Sequence, residues 1–217
     1  MGSGYYNPAQ LGQKILPRAI GSEIGMRRKF GKMLNLGMSA WWIDLEEELI
    51  YIGDSGVTEI KGESRRKGID IEGRAQIYRW MLVDLDISLS DGRLQNEPDG
   101  ANYIPSAPRL TATGGLTVLD YKGLDGSLRF RSFGRRPLNE NNSVSAEPYT
   151  LINFDAGYRL NSNIRLIFNI NNLLAEDWYE AQYDSETRLY NEAEPVSELT
   201  WVPGNPRTFQ IGLRFEF

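Results

Sequence analysis

Along RTFQIGLRFEF, Phe209, Ile211, Leu213, Phe215 and Phe217 fall on one side of an extended strand, and Thr208, Gln210, Gly212, Arg214 and Glu216 on the other. An apolar face unbroken over five positions needs an apolar partner, either a protein core or lipid. The same period of two recurs upstream. Ile24, Met26 and Phe30 oppose Glu23, Gly25, Arg27 and Lys29, and Leu34, Leu36, Met38, Ala40 and Trp42 oppose Asn35, Gly37, Ser39 and Trp41, with that strand reading on through WIDLEEELIYI. Ile69, Ile71, Gly73 and Ala75 oppose Asp70, Glu72 and Arg74, after which Met81, Val83, Leu85, Ile87 and Leu89 oppose Asp84, Asp86 and Ser88. Alternating stretches follow around Leu110 to Val118, Leu128 to Phe133, Leu151 to Leu160 and Ile164 to Asn171.

Nine strands result, most of them near the roughly 9–11 residues that cross a bilayer at a tilt. Their connections alternate in length. Those near Gly31, Tyr78, Lys122 and Ser162 are short, whereas 53–66, 91–108, 134–148 and 174–205 are long and polar. This predicts an all-β, antiparallel up-and-down meander with its short turns at one rim and its long loops at the other, as part of a transmembrane β-barrel. Trp41, Trp42, Tyr78, Trp80, Tyr149 and Tyr158, close to strand ends, are positioned for aromatic girdles.

Composition narrows the function. There are 24 basic and 29 acidic residues, a net charge of −5, and no long basic block, which argues against nucleic acid as a partner. The chain has neither cysteine nor histidine, so disulfides, thiolate metal sites and His-dependent triads are excluded. No apolar run approaches the roughly 20 residues of a membrane helix. MGSGYYNPAQ carries no export signal; residues 1–4 read as an expression scar and 5–217 as the barrel segment.

Charges that share the polar strand faces, Asp70, Glu72, Arg74, Asp84, Asp86, Arg129 and Arg131, are expected to face a lumen. The pairs Asp84/Asp86 and Asp70/Glu72, two residues apart on one face, have a spacing suited to a divalent cation, but the neighbouring arginines favour a solvated wall. The acidic runs at 46–48 and 183–194 lack the spaced Asp and Gly pattern of a calcium loop. No catalytic residue, metal or cofactor is expected. In the last long loop, Trp178, Tyr179, Tyr183, Tyr190 and Trp201 offer rigid amphipathic surface and are the candidate ligand contacts.

Several stretches in order, ILPRAIGSEIGMRRKF, GESRRKGIDIEGRAQI, YIPSAPRLTATGGLTV, YTLINFDAGYRL, NINNLLAEDWYEAQY and GNPRTFQIGLRFEF, resemble the carboxy-terminal part of TonB-dependent outer-membrane receptors. Around Asn172 the chain resembles the family's Asn-Leu-Phe-Asp signature, with Leu174 and Ala175 in place of Phe and Asp. The resemblance implies the last nine or so strands of a 22-stranded barrel whose plug, TonB box and earlier strands precede them. It implies a bacterial outer-membrane transporter, not an enzyme, that takes up a siderophore-iron complex, a vitamin or an oligosaccharide. Its implied partners are outer-membrane lipid, TonB through the plug, a small-molecule ligand, and the outer-membrane assembly machinery, which reads Phe209, Ile211, Leu213, Phe215 and the terminal Phe217. The alternatives are a passive porin, an outer-membrane enzyme barrel, or a soluble β-sandwich binding module.

Overall fold

The computed structural model describes residues 17–52 and 57–215. In chain order the strands are β1 Ala19–Phe30, β2 Leu34–Leu45, β3 Leu49–Ile52, β4 Val57–Ile60, β5 Ser64–Tyr78, β6 Met81–Leu94, β7 Leu110–Tyr121, β8 Leu124–Phe133, β9 Arg136–Pro137, β10 Ser145–Ala146, β11 Tyr149–Arg159, β12 Ile164–Asn171, β13 Tyr179–Thr187, β14 Val196–Pro203 and β15 Thr208–Phe215. Nine of them form one antiparallel sheet in the order β1-β2-β5-β6-β7-β8-β11-β12-β15. The nine-strand meander expected from the alternation is therefore the architecture of the described residues. Two further hairpins, β9–β10 and β13–β14, lie within long connections that read as loops, and a third, β3–β4, draws only its second strand from such a connection. Contrary to expectation, β2 does not run on through LIYI: it stops at Leu45, and Leu49–Ile52 begins a separate hairpin.

The turn between β7 and β8 illustrates how the short rim is made. Its two central residues, Lys122 and Gly123, have φ of 54° and 85°, the left-handed pair whose twist matches antiparallel strands.

The register carries the alternation of each strand across its neighbours. One row, Phe30, Leu34, Ala75, Val83, Leu116, Leu128, Phe154, Ile170 and Phe209, crosses all nine strands without a polar residue. The adjacent row on the opposite face, Lys29, Asn35, Arg74, Asp84, Gly115, Arg129 and Asn153, contains no apolar side chain larger than glycine. The sheet thus has one apolar and one polar side.

That apolar side is uncovered. Ile71 and Leu85, in the middle of the sheet, are each 38% exposed, and at the two edges Ile24 and Ile211 reach 78% and 72%. An apolar surface of this extent is stable against lipid and not against water. Trp42, Tyr78 and Tyr158 stand on or beside it, and Trp80 stacks on Tyr78 at 5.2 Å and meets Tyr121 at 4.3 Å by the short turns. Two of the expected girdle residues do not join them. Trp41 and Tyr149 lie on the polar side because each is one residue out of phase with the apolar row.

The buried core of the described residues sits at the long-loop rim. Ile50 of β3, Leu94 at the end of β6 and Ile104 of the next connection pack together with Ala107 against them. Within the described strands of the sheet the buried hydrophobic residues are Leu94, Leu151 and Ile170, all close to the long-loop rim.

Candidate ligand site

The polar face is a lattice of paired charges. Arg27 donates to Glu72 at 2.5 and 2.9 Å, Arg74 to Asp86 at 2.7 Å, and Arg129 grips both oxygens of Asp84 at 2.9 and 2.7 Å. Asp70 accepts from the indole of Trp41 at 2.8 Å and from the Ser88 hydroxyl at 2.6 Å. Each carboxylate of the pairs Asp70/Glu72 and Asp84/Asp86 is thus satisfied by a separate donor. Among the described residues no group of three acidic side chains is placed to hold a metal ion.

Several of these contacts jump a strand. Arg27 on β1 reaches Glu72 on β5 over Gly37 of β2, Asp84 on β6 reaches Arg129 on β8 over Gly115 of β7, and Asp125 on β8 reaches Arg165 on β12 over Gly157 of β11. A Cβ at Gly37 would stand 2.5 Å from Glu72 Oε1, so the missing side chain is what opens the route.

At the long-loop rim the four connections are tied into one platform. Glu48, 7% exposed, accepts from the Ser64 hydroxyl at 2.5 Å and from Arg66 at 2.6 Å, which clamps the β3–β4 connection to β5; the acidic run at 46–48 is used there. Lys61 bridges Glu59 and Glu140, both at 3.2 Å, and so joins this connection to 134–148. Partial burial of Lys61 works against its charge, but the hydrogen bonds to Glu59 and Glu140 outweigh it and hold the pKa above the ordinary lysine value. The amide of Tyr103 donates to the Glu140 carbonyl at 3.0 Å, and Asn139 donates to Asp184 of β13 at 2.9 Å. Gln182, 2% exposed, exchanges hydrogen bonds of 3.0 and 3.2 Å with the backbone of Glu147.

Asn172 governs the last of these connections. Its φ of 54° suits asparagine better than most residues. Its side chain donates to the Glu176 carbonyl and accepts from the Glu176 amide, both at 2.8 Å, and its own amide donates to Asn153 Oδ1 at 3.0 Å. This local geometry explains the asparagine of the degenerate signature.

Where the platform meets the polar face, arginines and aromatic rings alternate. Tyr149 lies 5.9 Å from Phe133 and 4.8 Å from Trp178, Arg131 stands 5.6 Å from the rings of both Tyr149 and Trp178, and Arg136 stands 5.0 Å from that of Phe133. A cleft of about 310 Å³ opens here, lined by Phe133, Arg136, Tyr149, Glu180, Gln182 and Tyr183, with Ser106 at its side. Rings and cations in this arrangement can stack on a planar ligand and neutralise an anionic one.

Of the five aromatic residues singled out in the sequence, Trp178 and Tyr183 are brought to this cluster. Tyr179 pairs with Trp201 at 5.4 Å on the β13–β14 hairpin, and Tyr190 is fully exposed beyond it. Arg131 leaves the charge lattice and packs on the rings, while Asp70, Glu72, Arg74, Asp84, Asp86 and Arg129 stay within it. Phe209, Ile211, Leu213 and Phe215 line the exposed apolar face of β15, and Phe217 lies outside the described residues, as do residues 1–16. Arg136, Phe133 and Gln182 were not anticipated. In the sequence Arg136 looks identical to its neighbour Arg135, and only the tertiary fold buries one of them.

A family model described as TonB dependent receptor-like, beta-barrel matches residues 5–173. No curated protein sequence matches the chain. Among solved structures, the ferric-catecholate import receptor Fiu of Escherichia coli K12 superposes with a TM-score of 0.72 at 23% identity over 100% of this chain and 30% of that one. The ferric yersiniabactin uptake receptor FyuA of Yersinia pestis gives 0.71 at 15% identity over 93% and 30%. The siderophore receptor PiuA of Acinetobacter baumannii gives 0.66 at 18% identity over 91% and 28%. The chain therefore spans less than a third of the length of the receptors it resembles, and at these identities the likeness is one of fold.

Proposed function

This chain belongs to the TonB-dependent receptor-like β-barrel family, and from that membership we propose that it forms the carboxy-terminal strands of an outer-membrane receptor that imports a scarce nutrient with energy delivered through TonB. The family is one of outer-membrane receptors and transporters. The observation that carries the reading is the two-sided sheet: an apolar row unbroken over nine strands on one face and a lattice of largely exposed ion pairs on the other. A β-sandwich would bury that apolar face against a second sheet, and among the described residues there is none large enough.

In this reading β1 and β15, each hydrogen-bonded to a neighbour on one side only, pair with further strands of the receptor, since a barrel removes its edges only by closing. The charge lattice faces the water-filled lumen around a plug, and TonB acts on that plug. The apolar positions of β15 together with Phe217 serve as the signal for outer-membrane assembly. Trp178 and Tyr183, at the long-loop rim, meet the arriving ligand. We assign a metal chelate ahead of a vitamin or an oligosaccharide, because the receptors of like fold include those for ferric catecholate, ferric yersiniabactin and ferric citrate, and a copper transporter.

The test is uptake of radiolabelled ferric chelates by cells that carry the intact gene as their sole receptor. Uptake should require both the gene and TonB. Equal uptake without TonB would make the protein a passive porin and overturn the proposal.

A further inference from the structure

Arg136 is a buried cation that meets no counter-ion among the described residues. It is 7% exposed, its Nη1 is enclosed with no hydrogen-bond partner, and among the described residues it forms no ion pair. The nearby carboxylate of Glu147 goes instead to Arg135, whose side chain is 63% exposed. A charge withdrawn from water without compensation is among the least favourable placements in a folded protein. Burial accordingly pushes the Arg136 pKa down, and outweighs the opposing effects of Tyr149 and Tyr183. The residue is also held in place: it begins β9, pairs with the fully buried Ala146, and lines the 310 Å³ cleft with Tyr149, Gln182, Tyr183 and the exposed Glu180, which forms no ion pair with it. Arg131, a second arginine without an ion pair among the described residues, stands 5.6 Å from the Tyr149 ring.

We propose that this cleft is an oxyanion subsite, in which Arg136 receives a carboxylate-like group of the ligand while Tyr149 and Tyr183 flank it. A guanidinium offers a planar fork of donors suited to such a group, and a low-dielectric setting strengthens the contact. The inference deepens the receptor reading and rests on the long-loop rim being the side that receives ligand.

The test uses the intact protein in detergent micelles, with citrate and inorganic phosphate as probes and neutral maltotriose as the control. Citrate, phosphate or both should raise the unfolding midpoint saturably, and maltotriose should not. Arg136→Met should fold with an unchanged or higher midpoint in the absence of anion, because it removes an uncompensated charge, and should need at least about tenfold more anion for the same response. Should Arg136→Met fail to fold, the arginine is structural and the proposal falls unless Arg136→Lys, which keeps the charge and loses the fork, folds normally and weakens the anion response several-fold. No saturable response in the wild type, or an undiminished one in Arg136→Met, overturns the subsite. Binding in micelles needs no TonB, so the subsite can fail while TonB-dependent uptake stands, and the reverse.

Discussion

Arg27 and Glu72 lie on strands that are not neighbours, yet their side chains meet at 2.5 Å over Gly37 of the strand between them. The same construction joins Asp84 to Arg129 over Gly115, and Asp125 to Arg165 over Gly157. Each glycine sacrifices a side chain of its own so that charges on next-nearest strands can pair across the polar face. Since Arg27 and Glu72 are 73% and 44% exposed, such a pair contributes roughly 0–1 kcal/mol. What the pairs add is alignment of strands that share no hydrogen bonds.

The bridging glycines should differ in their tolerance of substitution. At Gly37 the obstacle to a Cβ is the flexible Glu72 side chain, whereas at Gly115 it is the Leu128 carbonyl at 2.5 Å. Gly37→Ala should therefore cost less than about 1 kcal/mol and Gly115→Ala about 1–3 kcal/mol. Urea unfolding in lipid vesicles, followed by tryptophan fluorescence, measures both; equal losses would remove the distinction between side-chain and backbone obstruction.

A charge tells the two faces apart. Ile71 lies in the apolar band and Ser39 on the polar face one residue away from Met38, to which Ile71 is paired. Ile71→Arg should destabilise the protein in a bilayer by roughly 2–4 kcal/mol, and Ser39→Arg by far less. Reversal of that order would mean that the lipid face has been assigned to the wrong side of the sheet.

Asn172 should be hard to replace. Asn172→Ala removes both side-chain hydrogen bonds to Glu176 and the long one to the Asn205 carbonyl at 3.5 Å, at a residue 4% exposed, and places a Cβ-bearing side chain without polar compensation at positive φ, a loss of about 2–3 kcal/mol. Asn172→Gly relieves the backbone and should recover part of it. If alanine and glycine prove equal, backbone conformation contributes nothing measurable at this site.

Glu48 should set the local stability of the first long connection. Its amide donates to the Gly62 carbonyl at 2.8 Å and its carbonyl accepts from the Lys61 amide at 3.0 Å, while its carboxylate holds Arg66 and Ser64. Glu48→Gln should weaken this clamp by about 1–3 kcal/mol, leaving the nine-stranded sheet intact. Faster amide exchange at Lys61 with unchanged exchange in β7 and β8 is the expected signature, and uniform acceleration would contradict it.

Tyr103 should titrate early. Hydrogen bonds from Arg93 and then Arg109 stabilise its phenolate and hold its pKa below the ordinary 10.0. Because the folded value is the lower one, the contribution to stability is absent at neutral pH, grows as pH rises through the folded pKa, and is complete above the unfolded value. In a spectrophotometric titration, Tyr103→Phe should reduce the phenolate absorbance that develops below pH 10.0. An unchanged absorbance there would show that the two arginines do not stabilise this phenolate.

Much of this fold was legible in the chain because a strand's period of two is a local property: once Phe30, Leu34 and Phe209 are in phase with their own strands, the antiparallel register has only to bring like faces together. The same locality misplaced Trp41 and Tyr149, whose chemistry suits a membrane interface and whose phase does not. The hairpin β9–β10 escaped notice because its strands are two residues long, and β13–β14, with strands of nine and eight, because neither carries an unbroken apolar face. The strand-jumping partnership of Arg27 and Glu72 escaped for another reason, namely that it depends on the order of three strands at once.

The sequence by itself thus determined a meander with an apolar side, a charged side and two unlike rims, since these follow from alternation and spacing along a single chain. Which side chains meet was left to the tertiary structure. Arg135 and Arg136 are adjacent and chemically identical, yet one is exposed beside Glu147 and the other is enclosed in a cleft between β9, β11 and β13. Burial and partnership arise only when distant segments close around a residue, and nothing in its immediate neighbours encodes them.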